Sequence, residues 1–195
     1  ILQSLSKTVH LSLGLVILLF LGLHFFGDGF AFDTIFWSWL FRYIHVTVGI
    51  MWIGLLWYFN FVQIPSMPNI PDEQKPAVSK FIAPKALFWF RWGAVATLAT
   101  GLILAHLNGY LHDAMTLNTN NAKYFMIGIG MWLGIIMAFN VWAIIWPNQK
   151  KALGIISVDA SEKAAAAKKA MLFSRTNTLL SIPMLYCMVG AQNLY

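Results

Sequence analysis

The chain has 195 residues, of which 59% are hydrophobic and only 10% charged, with 9 Trp and 15 Phe. That balance excludes an ordinary soluble domain of this length and points to a membrane protein. The net charge of +6 comes without a basic patch interleaved with polar surface, so it reads as membrane topology and argues against a nucleic-acid partner.

In chain order, five apolar segments are long enough to cross a hydrocarbon core of about 30 Å, which takes roughly 20 helical residues: residues 8–26, 42–63, 85–107, 123–146 and 170–191. No ten-residue alternating pattern suggests a barrel, so the spans are expected to be helices. The expected fold is all-α, a single polytopic helical bundle over residues 1–195. The first segment follows Lys7 and resembles a signal peptide, but no small-residue cleavage site follows His24, Phe25 and Phe26, so it is expected to be a retained span. Trp37, Trp39 and Tyr43 form an aromatic belt that puts the interface near Arg42. The stretch from Pro65 to Pro84 carries five prolines and cannot be one continuous helix. Pro147 is expected to stop the fourth helix and Pro183 to kink the fifth. Between them, Asp159 followed by Glu162 three residues later predicts a helix start leading into the last span.

Eleven of the thirteen basic residues fall on one side of these spans; Arg42 and Lys123 lie on the other, with Asp28, Asp33 and Asp113. Basic residues concentrate on the cytoplasmic side. The expected topology is N-in and C-out, in the lipid bilayer of a bacterial inner membrane. The single cysteine, Cys187, leaves no internal disulfide, no cysteine zinc cluster and no C-x-x-C-H site for c-type haem.

Chemistry is concentrated in the histidines. His45 sits one turn deeper than Arg42, and His45, Gly49, Trp52 and Leu56 share one helix face. A histidine with a glycine one turn on suits a flat macrocycle: a ligand for iron, and no side chain where the ring lies. His24 and His106, at the outer ends of their helices, reach a similar depth. Haem b in membrane bundles is commonly held by two histidines, with arginines neutralising its propionates. The expected ligand set is therefore His45 with His106 or His24 opposite, and Arg42 on a propionate. His10 and His24 lie about 21 Å apart on one face of the first helix, a spacing similar to that of stacked haems, but no other helix offers a matching pair. The bland reading of each is an interfacial residue bonded to water or a carbonyl, and His112 reads as solvated. Methionines such as Met51, Met126 and Met131 read as packing, with one available as a sixth haem ligand. At the inner ends, Asn60, Arg91, Asn140 and Asn177 read as mutually satisfying polar groups, or as the lining of a small anion or quinone site.

The motifs carry a resemblance. HVTVGIMWIGLLWYF, FWFRWGAVATLATGLIL, GIIMAFNVWAIIWPNQKK and SRTNTLLSIPMLYCMV resemble, in order, helices of the urate oxidase N-terminal-like family, the membrane region of bacterial membrane-bound urate hydroxylases. The resemblance implies a helical membrane bundle and a role for His45. Members of the family are thought to pass electrons to a fused C-terminal c-type cytochrome. The chain as given ends at Tyr195 without C-x-x-C-H, so the electron carrier is expected on another polypeptide; Thr176 stands where the family motif has histidine.

The preferred reading is a haem-b-binding membrane subunit that relays electrons between a quinone or another redox centre and a periplasmic c-type cytochrome, alone or within a larger redox complex. The alternative is a non-redox accessory subunit of a respiratory or photosynthetic complex. A urate-oxidising enzyme with a separate cytochrome ranks third.

Overall fold

The computed structural model describes residues 1–27, 29 and 31–195; Asp28, placed above among the outer acidic residues, lies outside them. The described chain is helical, with α1 (Leu5–Phe26), α2 (Thr34–Trp57), α3 (Ile64–Ser66), α4 (Lys75–Ala77), α5 (Ala83–Leu107), α6 (Leu111–Met115), α7 (Ala122–Phe139), α8 (Trp146–Ala152) and α9 (Ala160–Asn193). Four helical stretches are long and apolar enough to cross a membrane: Leu5–Phe26, Thr34–Asn69, Lys75–Leu107 and Ala122–Ala152. The fifth expected span falls within α9, which at 34 residues is long enough but carries Lys163, Lys168, Lys169 and Arg175 in its first half.

The chain packs as two compact units, Ile1–Trp39 and Leu40–Tyr195. In the first, α1 buries none of its residues, and Phe20 and Phe32 meet Phe36 edge-on. In the second, α7 runs along α9, α8 also packs on α9, and α5 and α6 pack on α7. Its core joins Trp52, Leu56 and Phe59 to Phe90, Met137, Val141, Ile145 and Met184. Gly93 permits the closest helix approach there, since a side chain on it would sit 3.4 Å from the Trp52 backbone nitrogen.

Pro147 acts differently from the sequence expectation, and it shares its setting with Pro65 and Pro84. Helical winding widens to the i→i+5 pattern over Tyr58–Gln63, Val78–Ile82 and Asn140–Ile145, and Pro65, Pro84 and Pro147 each follow two residues after such a segment ends. A proline lacks an N–H and crowds the carbonyl four residues back. Those carbonyls belong to Phe61, Lys80 and Ala143, all inside the widened segments, where the extra residue gives the ring room. Pro147 therefore does not stop its helix. The helical path continues to Ala152 and ends at Gly154, whose φ of +74° suits glycine. The Pro65 to Pro84 region is not one continuous helix, as expected; its break lies between the short turn Met67–Asn69 and α4. α9 runs unbroken past Pro183.

The start of α9 agrees with its sequence signal. Asp159 Oδ1 accepts from the Glu162 amide at 2.7 Å and from the Ser161 hydroxyl at 2.6 Å, satisfying donors that a helix start leaves free.

Candidate functional site

The second unit encloses a cavity of about 590 Å3 between α2, α5, α7 and α9, within the roughly 300–1,000 Å3 range of cofactor and small-molecule sites. Arg42, His45, Gly49 and Trp52 line it from α2; His45, Gly49 and Trp52 follow their expected shared face, whereas Leu56 of that face lies in the core. Thr97 and Gly101 line it from α5, Met131 and Gly134 from α7, and Met184, Met188 and Gln192 from α9. The wall is mostly apolar, with polar groups from α2 (Arg42 and His45), α5 (Thr97), the turn after α5 (Tyr110) and α9 (Gln192 and Asn193).

His45 is the best-positioned of these groups. Its Nδ1 lies 2.9 Å from the Thr97 carbonyl oxygen and 3.2 Å from Thr100 Oγ1. The Thr100 hydroxyl donates its own proton to the Ala96 carbonyl at 2.6 Å. Both neighbours of Nδ1 therefore accept, which places the imidazole proton on Nδ1 and leaves the Nε2 lone pair available in the neutral ring. The ring lies on Gly101, where an added Cβ would come within 2.9 Å of His45 Cε1. Gly49 plays a looser part, because a Cβ there would meet only Thr97 Cγ2, at 3.9 Å.

Two further polar groups line the cavity. Arg42 Nη1 donates to Gln192 Oε1 at a long 3.5 Å, so its guanidinium keeps most of its donors uncommitted. Trp52 is 1% exposed and its buried indole Nε1 has no hydrogen-bond partner, a costly state for a buried donor unless a ligand or water meets it.

His106 is exposed near the end of α5 and lines a separate surface depression with His112 and Met115, so the structure does not bring it to the cavity of His45. His24 lies on α1 in the first unit, its ring edge-on to Phe25 at 5.3 Å. Among the described residues no group of three or more His, Cys, Asp or Glu could hold a metal ion. Besides His45, the cavity lining offers the thioethers of Met131, Met184 and Met188 and the Tyr110 phenol as side chains able to ligate iron. Thr97, Thr100, Gly101 and Trp52 Nε1 were not singled out as site groups by the sequence reading. The signal was present in the ATLATG run, where Thr97, Thr100 and Gly101 form one small and polar stripe on an apolar helix.

The inner polar residues are only partly paired, since Asn60 Oδ1 and Arg91 Nη1 are buried without a hydrogen-bond partner. Asn140 Nδ2 donates to Asn177 Oδ1, and Asn177 Nδ2 donates to the Met137 carbonyl, each at 2.9 Å. Asn60 Nδ2 reaches the Leu56 carbonyl and Ser174 Oγ. Arg91 lies over the Trp146 ring at 3.4 Å, a cation–π contact.

Residues 113–193 match the urate oxidase N-terminal family. The match covers α7, α8 and α9, and so the Met131, Met184, Met188 and Gln192 wall of the cavity; the Arg42, His45 and Gly101 wall lies outside it. No curated protein and no solved structure matches the chain. Within the matched segment, Thr176 is exposed and its hydroxyl donates to the Leu172 carbonyl of its own helix, whereas the next residue, Asn177, is fully buried. The position at which the family motif has histidine thus points away from the buried network.

Proposed function

We propose that the chain is a membrane electron-transfer subunit whose cavity holds haem b on His45, relaying electrons towards a c-type cytochrome or within a larger redox complex. The observation that carries this reading is the anchored imidazole: Nδ1–H is committed to the Thr97 carbonyl at 2.9 Å, the arrangement that orients a ligating histidine and raises its basicity. The donor set fits the group on further counts. Gly101 keeps a side chain away from the ring of His45, and Arg42 lies one turn away to neutralise a propionate. Haem, when bound, supplies one-electron chemistry; the protein residues orient the ligand, fix the charge at the rim and exclude water with an apolar wall. With N-in and C-out topology the cavity mouth at Arg42 faces the periplasm of a bacterial inner membrane, close to a soluble carrier.

A second reading is favoured by Trp52. Its unpaired Nε1–H and the His45 Nε2 lone pair are a donor and an acceptor in one apolar cavity, which suits a quinone or quinol head group. A reduced-minus-oxidised visible spectrum of the purified chain separates the readings. An α band near about 560 nm, characteristic of haem b, supports ligation by His45, provided that His45→Ala removes or severely perturbs it. A colourless protein that protects the Trp52 environment on addition of a short-chain quinone supports the second. A colourless protein indifferent to quinone points to a non-redox accessory subunit.

A further inference from the structure

The end of α5 carries a second constellation, independent of the His45 cavity. Gly109 adopts a φ of +74°, a conformation natural to glycine, and the chain reverses there: the Gly109 amide donates to the His106 carbonyl at 2.9 Å and the Tyr110 amide to the Ala105 carbonyl at 3.1 Å. This closed turn leads directly into α6. His112 and Met115 stand three residues apart on that helix and so share a side. With His106 from α5 they line one open surface depression of about 540 Å3.

The short helix is held firmly in place. Ala114 is fully buried against α7, at Gly128, where any side-chain carbon would collide with the Ala114 carbonyl. Trp132 Nε1 donates to the Met115 carbonyl at 3.0 Å. The side chains of His106 and His112 make no hydrogen bond to a described residue. The one carboxylate nearby, Asp113, accepts from Asn118 Nδ2 at 3.0 Å.

We propose that His106, His112 and Met115 bind one copper ion. Two imidazole nitrogens and a thioether form a borderline-to-soft donor set; imidazole suits copper in both common oxidation states, and a thioether selects Cu(I) over harder divalent ions. A carboxylate-rich set, which would favour Mg2+ or Ca2+, is absent from the lining of the depression. The turn at Gly109 and the clamp on α6 by Gly128 and Trp132 supply the rigidity that a metal site needs from its supporting residues.

The test is an anaerobic Cu(I) titration of the untagged, detergent-solubilised chain against bicinchoninate. One copper per chain should be withheld from the chelator. The double variant His106→Gln/His112→Gln should weaken retention by at least about ten-fold, the scale on which metal sites respond even to loss of outer partners. Met115→Leu should weaken Cu(I) while leaving Ni(II) binding within about two-fold, because the thioether matters chiefly to the softer ion. His45→Ala should keep its copper, so a failed haem assignment leaves this one intact. Wild-type protein that yields all its copper to bicinchoninate, or a double variant with wild-type helicity and undiminished copper retention, overturns the proposal.

Discussion

His45 Nδ1 lies 2.9 Å from the carbonyl oxygen of Thr97, on the helix across from its own. The bond joins the two walls of the cavity that lie outside the family match, and it fixes the tautomer that leaves Nε2 free. Gly101, one turn beyond Thr97, supplies the space in which the ring lies. Gly101→Ala would put a methyl group 2.9 Å from His45 Cε1, and the ring is tied at Nδ1. The expected outcome is a stability loss of about 1–3 kcal/mol from overpacking, with a changed visible spectrum if haem is bound. Thermal unfolding in detergent and an absorption spectrum check both; an unchanged melting temperature would mean that the ring moves aside freely.

Arg42 tests the charge at the rim. Its single contact to Gln192, at 3.5 Å, is too long to hold it strongly. Arg42→Leu should therefore leave the fold and any bound haem in place. It should lower the midpoint potential, because removing a cation disfavours the more negative ferrous form. Redox titration of the variant against the parent reads the sign directly.

Asn177 tests the inner network. It is fully buried, accepts from Asn140 and donates to the Met137 carbonyl. Asn177→Ala would leave the Asn140 amide and the Met137 carbonyl without these partners, and a buried polar group stripped of its partner costs about 1–3 kcal/mol. The midpoint of thermal unfolding should fall accordingly, while the spectrum of the His45 cavity stays unchanged.

Asp159 gives a pH dependence. Hydrogen bonds from the Ser161 hydroxyl and the Glu162 amide hold its carboxyl below the ordinary value of 3.8. A depressed carboxyl contributes stability that is fully present above its unfolded value and is lost as pH falls through the folded one. The first turn of α9 should thus fray in acid, below the ordinary value. Hydrogen exchange of the peptide spanning the start of α9, corrected for intrinsic rates, should lose protection in that window. Asp159→Asn keeps an acceptor at the cap and should abolish the pH dependence; a variant that still frays in acid would place the transition in another group.

Urate with an artificial electron acceptor should show no turnover by the purified chain. Thr176, where the family motif has histidine, offers no ionisable group and is exposed. Appreciable turnover would raise the enzymatic reading above the other two.

Much was legible in the residues themselves. Composition and the lengths of the apolar runs determined an all-helical membrane chain, because bilayer thickness and backbone satisfaction leave little else. The Asp159 cap followed from a local rule in which the residue and its partner amide lie three positions apart. The alignment of His45, Gly49 and Trp52 followed from the helical period, although Leu56, expected on the same face, lies in the core and not on the cavity. Tertiary structure decided the rest. Depth along a helix predicted that His45 would meet His106 or His24, but depth does not specify rotation about the axis, and His106 lines a different pocket. Pro147 was expected to break a helix that instead widens by one residue per turn ahead of it; that adjustment depends on packing around Asn140, Val141 and Ile145, which are buried by other helices. The Thr97 carbonyl and Gly101 became visible only once α5 was laid against α2, since a backbone acceptor and a missing side chain acquire meaning only from what they face.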